Sequence, residues 1–280
     1  MPSAQRLPLT PAGPVTPDSP VALDSPVTPD GPVTLAGRLT PHGPVTPDGP
    51  AADTSRGASA PIASQRRLFF LAAGLLVAGD AVFWAMLAAV QSDTGMAAWD
   101  GPVHYGLVAT RNAMATAILA GVSAVTSPVC MAVAGLVLAA GWAIWKRELW
   151  RPALLLGAMA ATFVLSTLIK HAVDRGRPPA ADFLLGPDDA LSFPSGHTFG
   201  TGVFLLVLAY LVAGSGRAGR PTAVVAYAAA AAGTALVALS RLYLGYHWLT
   251  DVTASVGLAV AVTGIVILAD GLRTARGARP

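Results

Sequence analysis

Charge is scarce in this chain, and cysteine scarcer still. Only 12% of its 280 residues are Asp, Glu, Lys or Arg, about half the share that a soluble domain carries. So little charge cannot build a water-exposed surface, so most of the chain is expected to meet lipid. The single cysteine, Cys130, excludes an intrachain disulfide and any multi-cysteine metal site. Its place in an apolar run reads as that of a small packing residue. Lysine occurs only at Lys146 and Lys170, so the net charge of +3 rests on arginine. The arginines flank apolar runs without interleaved aromatics. That pattern argues against a nucleic-acid partner and for membrane anchoring.

Long apolar runs are missing from residues 1–64 and dominate residues 68–270. Residues 8–49 read as hexads, best seen in Pro-Val-Thr-Pro-Asp at Pro14–Asp18, Pro26–Asp30 and Pro44–Asp48. Proline at one or two positions per hexad removes backbone donors and blocks helix and sheet alike. Too few large apolar side chains remain to offset chain entropy. Residues 1–65 are therefore expected to be a disordered tail rather than a docking arm. An apolar core near the start is absent, so no signal peptide is expected.

Six runs approach the ~20 residues that cross a bilayer. They are Leu68–Val90, Val125–Trp145, Pro152–Ile169, Thr198–Gly214, Pro221–Leu239 and Leu249–Ala269. The run Ala113–Ala124 is apolar but short, and reads as an interfacial or re-entrant lead into the second span. The fold expected is all-α: a six-helix membrane bundle over residues 66–272, with a short basic tail at 273–280. Six spans put both termini on one side. That side holds Arg66, Arg67, Lys146, Arg147, Arg151, Arg217, Arg220, Arg273, Arg276 and Arg279, and the other holds Arg111, Lys170, Arg175, Arg177 and Arg241. Ten against five makes the first side cytoplasmic and leaves five basic residues on the far side to explain.

Three of those five fall in spaced patterns. Lys170 and Arg177-Pro178, with six residues between Lys and Arg, end the third span. Pro194-Ser195-Gly196-His197 opens the fourth. Ser240-Arg241, His247 and Asp251 bridge the fifth and sixth. Alternating spans bring all three segments to the outer face. The residue types suit a phosphate. Lys170, Arg177 and Arg241 supply positive charge, and guanidinium forks match pairs of phosphate oxygens. Ser195-Gly196 marks a helix N-terminus, where free N–H groups and the dipole favour an anion. His247 and Asp251, four apart at a helix start, share a face. The carboxylate can hold the imidazole in one tautomer while the other nitrogen attacks. His197 is a second imidazole, placed to protonate a leaving oxygen.

On these motifs, and on Phe193-Pro-Ser-Gly-His-Thr and Arg241-Leu-Tyr-Leu-Gly-Tyr-His-Trp-Leu-Thr-Asp, the chain resembles bacterial members of the type-2 phosphatidic acid phosphatase superfamily, which shares its core with vanadium haloperoxidases. The resemblance spans roughly residues 66–270. It implies that His247 attacks phosphorus to form a phosphohistidine, with Asp251 supporting it. His197 would protonate the leaving group and then activate water. Lys170, Arg177, Ser195, Gly196 and Arg241 would hold the phosphoryl oxygens. It implies no metal and no cofactor, and the outer face lacks a carboxylate cluster fit for magnesium.

Family members act on undecaprenyl diphosphate, phosphatidylglycerol phosphate, phosphatidate and related lipids. The Ala/Gly/Arg-rich composition fits a GC-rich bacterium, hence a plasma-membrane enzyme on a lipid phosphate. The short loop Pro179–Phe193 leaves the pocket open to the bilayer edge. A phosphotransferase of the same superfamily is the alternative. A haloperoxidase is not expected, because those relatives are soluble. An anion transporter would explain the basic residues but not the His-Asp spacing. Other residues read blandly: Arg175 as a snorkelling anchor, Tyr246 and Trp248 as belt aromatics, and Asp80, mid-span, as a packing residue with a hydrogen-bond partner. His104 and Arg111 fit headgroup contact or an interfacial helix equally.

Overall fold

The computed structural model describes residues 59–214 and 219–277. The repeat tail over 1–58 and the last residues, 278–280, lie outside the described residues. Helix α1 (Ser59–Ser92) begins inside the range read as tail. A one-turn 3₁₀ segment (Gly95–Trp99) then leads into α2 (Asp100–Ala109) and α3 (Ala113–Val125). Next come α4 (Pro128–Lys146), α5 (Trp150–Val173), α6 (Gly196–Ala213), α7 (Arg220–Tyr243) and α8 (Leu249–Gly277).

Six of these helices (α1, α4, α5, α6, α7 and α8) are long and apolar enough to cross a membrane. Lipid offers no hydrogen bonds, so each span must satisfy its own backbone, and helices do so locally. Buried hydroxyls turn inward in the same way: Thr162, Thr234 and Thr263 each donate to the carbonyl four residues earlier at 2.8 Å. Large apolar side chains such as Trp84, Ile144, Phe163 and Val224 remain exposed on the outer helices, as a lipid-facing belt requires.

The second span starts at Pro128 rather than Val125. Ser127 caps it, accepting from the Cys130 N–H at 3.3 Å, and Pro128 takes the first helical turn. Helix α3, with 13 residues, is only about 20 Å long, too short to cross. The candidate spans among the described residues therefore number six. Cys130 is exposed rather than packed inside the chain.

Helix α8 is the central one, packed against α1 and α6. Its approach to α1 depends on small residues. A Cβ at Gly257 would lie 2.8 Å from the Gly79 carbonyl oxygen, and one at Gly264 would lie 2.7 Å from that of Ala72. Backbones this close gain dispersion contacts that hold helices together where lipid competes for apolar surface. Asp80, beside this seam, has no hydrogen-bond partner among the described residues, contrary to the sequence expectation. At one end of the bundle Asp270 ties three helices together, accepting from Trp150 Nε1 at 2.7 Å and Tyr210 Oη at 2.8 Å. At the other end lie the C-termini of α5 and α7 and the N-termini of α6 and α8, where the three sequence motifs meet.

Candidate active site

Asp251 lies in the first turn of α8 and His247 just before it. His247 Nδ1 is 3.3 Å from Asp251 Oδ2, and both side chains are buried. An ionised carboxylate only accepts, so Nδ1 carries the proton and the lone pair is on Nε2. The carboxylate is itself held from several sides. The Trp248 N–H donates to Oδ2 at 2.8 Å, Ser192 Oγ donates to the same oxygen, and Arg175 Nη1 donates to Oδ1 at 2.6 Å. Ser192 Oγ also lies 3.5 Å from His247 Nδ1. Burial pushes the His247 imidazole down to about 4, against the upward pull of Asp251. The ring is thus neutral, the form that can attack.

Lys170, in the last turn of α5, donates from Nζ to the Leu191 carbonyl. Arg177 follows on the loop. It donates to the Ala190 carbonyl, to the Tyr246 carbonyl at 3.0 Å, and pairs with Asp188 at 3.0 Å. Burial holds this guanidinium below its ordinary value, with Asp188 opposing. Arg241 is only 4% exposed. It donates to Ser123 Oγ at 2.6 Å, lies 4.4 Å from the Tyr246 ring centre, and keeps a buried Nε without a partner. Ser195 caps α6, its Oγ facing the Thr198 N–H at 3.5 Å. Gly196 and His197 open the helix, so their N–H groups have no carbonyl one turn back. His197 lies within electrostatic reach of Arg241, His247, Arg177 and Lys170. All eight residues singled out in the sequence thus occupy one end of the bundle. Among the described residues, no cluster of three His, Cys, Asp or Glu side chains could hold a metal ion.

Several neighbours escaped the sequence reading. Arg175 is no snorkelling anchor: it lies between Asp251 and Asp100, at 2.6 Å from each. Tyr246 is no belt residue. It is 3% exposed, donates to the Gly186 carbonyl at 2.7 Å and accepts the Leu185 N–H at 2.9 Å, so it anchors the loop. Trp248 donates to the Gly176 carbonyl at 3.0 Å and faces Arg175. His104 is buried and joins Asp182 at 2.9 Å. Arg111 donates to the carbonyls of Tyr243 and Asp182, capping the end of α7. Neither of these two is free for a headgroup. Gly245 makes the turn into His247 at φ 91°, where a Cβ would also meet the Asp182 carbonyl.

A groove of about 540 Å³ runs between α4, α5 and α6. Met131, Leu136, Leu156, Met159 and Phe163 make it apolar, and Lys170 and Gly196 lie at its site end. From Leu156 to Lys170 it follows α5 for about 20 Å.

Comparison with known proteins gives the same region. The model of the PAP2 superfamily matches residues 151–274. Phosphatidylglycerophosphatase B of Bacillus subtilis is 24% identical over 185 residues, covering 66% of this chain and 90% of the relative. The crystal structure of a transmembrane PAP2 type phosphatidylglycerolphosphate phosphatase from Bacillus subtilis superposes with a TM-score of 0.61 at 22% identity, covering 69% of this chain and 96% of that one. That likeness shows a shared fold.

Proposed function

We propose, for a chain that belongs to the PAP2 superfamily and is a multi-pass membrane phosphatase, that it hydrolyses lipid phosphates through a phosphohistidine at His247. The observation that carries this reading is the held pair of His247 and Asp251 inside a ring of Lys170, Arg177 and Arg241. A transporter vestibule needs the cations but not a buried imidazole whose Nδ1 is fixed by a carboxylate.

In the first step His247 Nε2 attacks phosphorus, and the bridging oxygen leaves, on the lipid alcohol of a monophosphate or on the inner phosphate of a diphosphate, with a proton from the His197 imidazolium. In the second, His197 takes a proton from water, whose oxygen attacks the phosphohistidine and releases inorganic phosphate. The three cations, with the N–H groups opening α6 beside Ser195 and Gly196, stabilise charge on the equatorial oxygens. Phosphate oxygens take over the donors that now serve the 188–191 loop and Ser123. No metal is needed for this charge balance.

The apolar groove supports a lipid substrate: its walls suit an acyl or prenyl chain while the phosphate sits at Lys170. Phosphatidylglycerol phosphate, phosphatidate and undecaprenyl diphosphate all have this form. Eight of the ten basic residues counted on the other side in the sequence are among the described residues, at the opposite end of the bundle, and they favour a site on the extracytoplasmic face. Phosphate release by purified protein, measured over a panel of lipid mono- and diphosphates in EDTA, tests the reading. Vanadate-sensitive release is expected. No release from any of them, or activity only after magnesium is restored, would overturn it.

A further inference from the structure

The segment before α3 lies outside residues 151–274, yet it reaches the centre of the site. Asp100, the first residue of α2, is 4% exposed. Its Oδ1 accepts the Thr250 N–H at 2.9 Å, and its Oδ2 accepts Thr250 Oγ1 at 2.7 Å and Arg175 Nη2 at 2.6 Å. Arg175 Nη1 in turn donates to Thr250 Oγ1 and to Asp251 Oδ1, both at 2.6 Å. Asp100 therefore satisfies a free N–H in the first turn of α8, the turn that carries Asp251. The guanidinium bridges the two carboxylates.

We infer that Asp100 and Arg175 are positioning residues that fix Asp251 and set how strongly it supports His247. This rests on the phosphatase reading above. Arg175 alone would draw the charge of Asp251 away from the imidazole. Asp100 neutralises Arg175 and returns that charge. The other groups around His247 and Asp251 are Lys170 on α5, Arg177 on the loop, His197 on α6 and Arg241 on α7, with Asp188 against Arg177 and Lys170. Except for Asp188 and His197, all are cations, so the net charge on the far side of Asp251 decides the balance.

The signs follow from Coulomb's law. Asp100→Asn leaves Arg175 uncompensated, weakens the pull of Asp251 on the imidazolium, and moves His247 protonation to lower pH. Arg175→Gln leaves two buried carboxylates with no cation between them, and moves it to higher pH. Each shift is expected to be about one pH unit. Each variant is expected to lose about 10- to 100-fold in kcat with KM little changed, because neither side chain reaches the phosphate ring. The double variant should lie between the two in pH dependence.

Two readouts test this on full-length protein in detergent: the acid limb of kcat/KM, and histidine NMR titration of His247. The second needs no turnover, so an inactive wild type overturns the phosphatase reading while the pair is still judged by titration. Opposite shifts support the inference. An unmoved titration in both variants, or shifts of the same sign, overturns it. If these variants fail to insert, Asp100→Glu and Arg175→Lys carry the test. They keep both charges but not the geometry, so kcat should fall with the limb unmoved. Wild-type kcat in both would overturn the proposal.

Discussion

Acidification should leave this enzyme working well below the range in which an ordinary histidine loses its lone pair. His247 is 2% exposed, and burial pushes it down to about 4. At pH 5 such a ring is about 90% neutral, whereas one titrating at 6.5 is about 3% neutral. The difference, roughly 30-fold in competent enzyme, is the effect to be measured. In the proposed mechanism the neutral form attacks, so activity is expected above about 4 and is lost as pH falls through it. The ratio kcat/KM reports the free enzyme's groups. Its profile should therefore bend near 4. A phosphate monoester has its own second ionisation near 6. Substrates of different phosphate acidity separate the two, because the limb of His247 stays in place. The same burial has a stability cost in acid. The unfolded chain binds the His247 proton from about 6.5 downward and the folded chain only near 4. Stability therefore falls as pH drops through that window, by at most about 3 kcal/mol. A substrate-independent limb at 6 to 7 would refute the claim that burial sets the protonation of the nucleophile.

Three other outcomes are expected. Ala160 lines the groove, and Ala160→Phe, which fills it, should raise KM about tenfold or more for long-chain lipid phosphates and leave a short, water-soluble phosphate ester unaffected; equal effects on both would remove the groove from substrate binding. Gly257→Val should lower the melting temperature in detergent, since its Cβ would meet the Gly79 carbonyl at 2.8 Å and overpacking costs about 1–3 kcal/mol. An unchanged melting temperature would show that the α1–α8 seam is looser than its geometry. In a Cys130→Ala background, a cysteine at Asp189 should react with an impermeant thiol reagent in intact cells and one at Arg147 only after lysis. The reverse pattern would place the site in the cytoplasm.

The spans and motifs were legible because each is a local signal. A helix in lipid announces itself by about 20 apolar residues, and the site residues stand at fixed spacings on or next to helix ends. The exact start of α4 could also have been read, since Thr126-Ser127-Pro128 is a capping pattern. Arg175, Asp100 and Ser192 were not legible. Their contacts join positions 59 to 76 residues apart, and nothing in the periodicity of either segment encodes such a pairing. Tyr246 and Trp248 misled for a related reason: an aromatic at a span end looks the same whether it faces the headgroups or, as here, holds a loop carbonyl. His104 and Arg111 likewise found their partners, Asp182 and Tyr243, across the fold rather than along the chain.

The covalent intermediate is the most direct mark of the proposed chemistry. Rapid quenching of purified protein with a ³²P-labelled lipid phosphate should trap acid-labile, base-stable phosphorus on the peptide containing His247. His247→Ala should trap none and lose at least about 10⁴-fold in turnover while still inserting and folding. Trapping on another residue, or a His247→Ala protein that turns over at the wild-type rate, would contradict it.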